Sequence, residues 1–171
     1  HVVYLSKLEA VDGNLGIRVV SINHITGEVG TSHYIDTSGT TYDTHHFPVI
    51  DATPDGYLQL AISAHGGSIR FRRSRYVNES GSLSTDTDDS VMWENAFNGS
   101  DTSMTVSGFT GTYPILWHIL SGTDAGRMYC ACRSGTSYIY HFIYSDDSGE
   151  TWSGVHKFIE DTDGSKYRVY M

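Results

Sequence analysis

Basic residues are scarce in this chain: eleven Lys and Arg against twenty Asp and Glu leave a formal net charge of −9 over 171 residues. Phosphate backbones are held by basic surfaces, so nucleic acid is excluded as the principal partner. No apolar run approaches the roughly 18 residues of a membrane-spanning helix, so no membrane span is expected. Sustained helical periodicity is missing, and no signal peptide stands at the N-terminus. The chain opens on His1 instead of Met, which suggests processing or a piece of a longer polypeptide. Cysteine is nearly absent. Cys130 and Cys132 are two apart on an expected strand, where a disulfide between same-face neighbours would be strained. No matching Cys/His pair follows at zinc-finger spacing, so both read as buried thiols.

Three prolines are set against eighteen glycines and twelve tyrosines in a chain full of Ser and Thr. That composition points to β-structure with many tight turns. Short apolar runs recur about every ten residues: Val2 to Leu8, Ile17 to Asn23, Thr31 to Ile35, His46 to Asp51, Tyr57 to Ala64 and Ser68 to Ser74. They resume at Tyr113 to Leu120, Arg127 to Arg133, Tyr138 to Ser145, Trp152 to Ile159 and Tyr167 to Tyr170. Between them, residues 76 to 112 are expected as a long acidic, serine-rich loop with one strand near Met104 to Val106. Such spacing predicts an all-β sandwich, barrel or propeller. Blades of about 40 to 50 residues divide the chain at 1–40, 41–111 and 112–160, with a next blade starting at 161–171.

The chemistry gathers around Asp43 to Arg75. His45 precedes one expected strand and His65 follows the next, which antiparallel pairing brings to one end of a sheet. Gly66-Gly67 beside them allows a ligand to approach the backbone. Arg70, Arg72, Arg73 and Arg75 supply four of the eleven basic residues within six positions, a candidate anion-facing patch. Alternation places Arg70 and Arg72 on one face and Arg73 and Arg75 on the other. Solvated arginines on an edge strand are the plainer alternative. Asp86, Asp88 and Asp89 miss the EF-hand pattern at its glycine and final Glu and read as a solvated loop. No cofactor is expected; a structural calcium or zinc ion stays open. Asn78-Glu79-Ser80 and Asn98-Gly99-Ser100 match a glycosylation acceptor, which matters only in a eukaryotic secretory setting.

One local motif selects among the all-β folds. Ser145, Asp147, Gly149, Thr151 and Trp152 fill every defined position of the Asp-box pattern S-x-D-x-G-x-T-W. Asp147 is placed to accept hydrogen bonds from the turn, Gly149 to take positive φ and Trp152 to pack beneath it. The box resembles those of sialidases and other BNR-repeat propellers, where it staples a hairpin away from the active site.

With that turn in place, Asp43-Thr44-His45-His46-Phe47-Pro48, Pro54-Asp55-Gly56-Tyr57, Ala64-His65-Gly66, Arg70-Phe71-Arg72-Arg73-Ser74, Thr112-Tyr113-Pro114 and Arg133-Ser134-Gly135 resemble, in order, the BNR-repeat family of ulvan lyases and related uronate-polysaccharide lyases. The resemblance runs over nearly all of the chain and implies about three blades of a larger, seven-bladed propeller. It also implies a catalytic set of His45, His65, Tyr113 and Arg133: one histidine as base and the other on the carboxylate, Tyr113 as acid, Arg133 as neutralising cation. Which histidine does which stays open. His46 stands where the family has Asn and competes with His45; it joins Arg70, Arg72 and Arg73 as a candidate substrate-binding residue. The tyrosine-to-arginine interval is longer here, in keeping with an enlarged turn around Gly122 to Gly126. Two further readings stand beside the lyase: a non-catalytic carbohydrate-binding or virion receptor-binding propeller, and a sialidase-like hydrolase, for which the arginine triad and Tyr/Glu pair do not assemble. The expected partner is an anionic polysaccharide or cell-surface glycan, with further blades of the same polypeptide. The expected location is extracellular or at a virion surface.

Overall fold

The computed structural model describes residues 2–6, 16–20, 22–23, 25–30, 32–37, 45–63, 65–74, 104–134 and 139–159, and among these forms eleven strands and no helix. Strands β1 (Val2–Ser6), β2 (Gly16–Val20) and β3 (His33–Thr37) make one sheet. A second contains β4 (Pro48–Ala52), β5 (Leu58–Ile62), β6 (Ser68–Arg73) and β7 (Met104–Thr110). The third contains β8 (Thr112–His118), β9 (Met128–Arg133), β10 (Tyr140–Ser145) and β11 (His156–Ile159). Each is an antiparallel meander in chain order, and the first strands of neighbouring sheets approach each other, β1 to β4 and β4 to β8, while the sheets stack face to face. These are successive blades of a β-propeller.

Burial explains the stacking. All of β5 is buried because both of its faces are covered. Leu58, Leu60 and Ile62 pack on Ile17, Val19 and Ile35 of the first sheet. Ala61 turns the other way and joins Ile69, Phe71 and Phe109 against Cys130, Cys132 and Ile143 of the third. Each fully buried Leu, Ile or Phe contributes about 1.5–3 kcal/mol, so these two seams hold the blades together. The cysteines are free, buried thiols as expected, and burial pushes Cys132 up to about 12 and Cys130 well above its ordinary range. The far face of the third sheet carries Trp117 stacked on Tyr129, with Phe142 and Phe158 completing an apolar cleft of about 360 Å³.

Two strands differ from expectation. The one near Met104 runs on to Thr110, since Phe109 is fully buried in the seam and β7 itself bulges between Thr105 and Thr110, opposite Arg70 and Ser68 of β6. The last begins only at His156, because Trp152 turns inward to stack 4.6 Å from Phe71 while Ser153 N–H donates to the Tyr144 carbonyl at 2.8 Å. The turn at Asp12 to Asn14, Arg75, Asn78, Asn98, the three aspartates at 86, 88 and 89, and the strand at Tyr167 to Tyr170 lie outside the described residues.

The turn after β10 shows why its pattern folds locally. Ser145 Oγ donates to Asp147 Oδ1 and accepts the Gly149 N–H, both at 2.8 Å, while Asp147 Oδ1 also takes the Thr151 N–H at 2.8 Å. Gly149 has φ 85°, and a Cβ there would stand 2.3 Å from Gln59 Oε1 of the second sheet. The turn therefore seals the seam between blades as well as the hairpin. Burial works to raise the Asp147 carboxyl, but hydrogen bonds from Thr151, Ser145 and its own amide prevail and hold it below 3.8. A folded-state value below the unfolded one gives stability that is present above the unfolded value and lost as pH falls through the folded one. The melting temperature should accordingly drop at the acid end, and Asp147→Asn should flatten that limb in a melting series across pH.

Candidate functional site

Strand direction gathers the site. The start of β4, the β5–β6 turn, the start of β8 and the end of β9 all lie at one end of the second and third sheets. They carry His45, His65, Tyr113 and Arg133. The His45 and His65 rings stack with centroids 4.2 Å apart and an interplanar angle of 25°. Tyr113 stands 5.4 Å from His45, and the Arg133 guanidinium lies 4.9 Å above the Tyr113 ring. All four expected residues thus converge. His65 is exposed, His45 and Tyr113 are half-buried, and Arg133 is buried.

Tyr113 is aimed by strain. Its φ of 54° lies in the left-handed region, which bulky residues avoid and which costs about 1–3 kcal/mol. The β8–β9 register slips between Thr112 and Ile115, so Tyr113 and Pro114 form a bulge opposite Cys132. Just before it, Gly111 donates to the Gly67 carbonyl at 2.9 Å and presses against the Arg133 backbone. One glycine therefore packs the histidine turn, the tyrosine bulge and the arginine strand together.

The adjacent histidines at 45 and 46 point apart. His46 is 5% exposed, and its Nε2 accepts the His65 N–H at 3.4 Å. Burial removes it from the competition with His45 for a ligand. Arg73 is also placed elsewhere. It sits at the opposite end of β6, over the Tyr57 ring, with its guanidinium bonded to Asp55 at 2.8 Å and Glu150 at 3.0 Å. It clips the third sheet's turn to the second sheet instead of facing the histidines. Arg70 and Arg72 pair across from Ile62 and Leu60, on the face of β6 turned to the first sheet.

Several residues were not anticipated. Phe47, 48% exposed, stands 6.0 Å from Tyr113 and lines a cleft of about 430 Å³ with Pro48, Pro114, Ile115 and Tyr140. An aromatic just after a candidate histidine was the available signal. His118 Nδ1 and Asp51 Oδ2, 2.9 Å apart, tie the far ends of β8 and β4 across the two sheets. Nothing in their spacing of 67 positions announces the pair. Among the described residues no three His, Cys, Asp or Glu side chains converge as a metal site.

No protein-family model and no curated protein matches this sequence. Solved structures do, among them the following two. Both are of a PL25 ulvan lyase, a polysaccharide lyase, one of them bound to -[GlcA(1-4)Rha3S]-. The likeness is one of fold. At 17% and 18% identity and a TM-score of 0.59 for each, 88% of this chain superposes on 34% of those chains. The chain thus spans about a third of the length of the lyase chains it matches, and its three sheets are a segment of β-propeller architecture.

Proposed function

We propose that this chain carries the site of a uronate-polysaccharide lyase that cleaves by β-elimination. The observation that carries the reading is the convergence of two stacked imidazoles, a strained tyrosine and a buried guanidinium at one sheet end. The reaction removes the proton from C5 of a uronate, whose electrons form the C4–C5 double bond as the C4–O bond breaks. One imidazole of the His45–His65 pair takes that proton, and the other donates to the carboxylate. Tyr113 gives its phenolic proton to the departing oxygen. Arg133, beside that phenol, offsets the charge that builds on the carboxylate as C5 becomes planar. The structural neighbour's bound chain, with its glucuronate, is a ligand of the chemical class that this arrangement suits. Binding of an anionic polysaccharide would place the protein outside the cell or at a virion surface.

The aromatic cleft favours a second reading, a carbohydrate-binding module without turnover. Phe47 and Tyr113 offer rings on which sugar faces stack whether or not chemistry follows. Ultraviolet absorbance separates the two. Mixed with a panel of uronate polysaccharides, the protein should generate the unsaturated uronate chromophore on at least one of them; saturable binding with no chromophore on any would select the binding module.

A further inference from the structure

The geometry points to His46 and Ser63 as positioning residues that set His45 against His65, an inference resting on the reading that those two imidazoles act together. Ser63 is 1% exposed, and its hydroxyl reaches both sides of the His46 peptide. Its Oγ donates to the His45 carbonyl and accepts the Phe47 N–H, each at 2.8 Å, while the Phe47 carbonyl lies 3.1 Å away. A hydroxyl has one proton, so the shorter contact to the His45 carbonyl takes it, and the Phe47 carbonyl is left to the Ser63 N–H. The Ser63 N–H returns to the Phe47 carbonyl at 3.4 Å. Pinned on both flanks, the chain at residue 46 has its side chain turned inward and residue 45 turned out.

The inward imidazole then reaches the other half of the pair. His46 Nε2 accepts the backbone N–H of His65, the residue whose ring stacks on His45. To accept, Nε2 must carry no proton, which leaves the ring proton on Nδ1. Ser63 thus fixes the backbone of His45, and His46 fixes the backbone of His65. Their 4.2 Å stacking follows from a buried layer that has no need to touch a ligand. General acid–base work is sensitive to such placement: about 1 Å of displacement from a remote change can cost about 10²-fold.

The test compares His46→Leu, His46→Gln and Ser63→Ala in the intact chain by two readouts. The first is the ring-proton NMR shifts of His45 and His65, which report their stacking and require no activity. The second is the kcat and KM of uronate elimination. His46→Leu and Ser63→Ala should both remove the mutual ring shifts and lower kcat by about 10- to 100-fold with KM changed less than about threefold. His46→Gln, whose amide oxygen can still accept, should restore much of both. Unchanged ring shifts in folded His46→Leu and Ser63→Ala would overturn the inference, as would failure of both variants to fold, which would make the layer a stability element. If the wild type shows the stacking and the variants lose it, yet no polysaccharide is cleaved, the positioning stands and the lyase reading falls.

Discussion

Tyr113→Phe should lower uronate β-elimination by about 10²- to 10⁴-fold, the range for removal of a general acid, while polysaccharide affinity stays within a few-fold. The substitution deletes one oxygen. Its ring keeps the contacts with His45, Phe47 and the Arg133 guanidinium, and the backbone keeps the same demand for φ 54°. A drop in kcat with KM preserved therefore isolates proton donation from stacking. A variant with full turnover would assign the leaving-group proton to another donor, and Tyr113 would remain a stacking residue of the cleft. The strain adds a second expectation. Nothing in sheet packing calls for a tyrosine in the left-handed region, and its roughly 1–3 kcal/mol cost is tolerated where a side chain must be aimed.

The meeting of His45 and His65 was legible because strand ends are legible, whereas Tyr113 and Arg133 were pointed to only by the family resemblance. A residue before one strand and a residue after its antiparallel partner share an end whatever the details of packing, and the order of the sheet did the rest. The turn after β10 was legible for a similar reason: its hydrogen bonds close within seven residues, from Ser145 to Thr151. What escaped depends on facing. Neighbours at 45 and 46 differ in facing, and among the contacts that hold them is Ser63, eighteen positions on from His45. Arg73 reads as one of four clustered cations, but the two carboxylates that hold it come from a turn 18 residues back and another 77 residues on. The bulge at Tyr113 likewise follows from a register slip that neither β8 nor β9 announces alone. Local hydrogen bonding and strand order can be read along a chain; register and the direction of a side chain at a strand end require the partner.

Gly111→Ala should be the most damaging small substitution in the described structure. An added Cβ would stand 2.2 Å from the Arg133 carbonyl oxygen, 2.9 Å from its carbon and 2.8 Å from Cys132 Sγ. The first two are backbone atoms in the middle of a sheet, so no rotamer change relieves them, and β8 must separate from the end of β9. That movement breaks the Gly111 N–H bond to the Gly67 carbonyl and withdraws the turn that carries His65. The usual gain of about 0.4–1 kcal/mol from stiffening the unfolded chain is too small to compensate. We expect a loss of about 3 kcal/mol or more, at the upper end of what overpacking costs, together with loss of elimination even where the protein still folds. Gly154→Ala supplies the control: nothing lies within 4 Å of a Cβ built there, and its stability should change by less than about 0.5 kcal/mol. Urea unfolding of both variants, with elimination assayed on each, decides the matter. Equal stability and equal turnover in Gly111→Ala would mean that the three segments do not meet at this glycine, and the site would have to be assembled by other contacts.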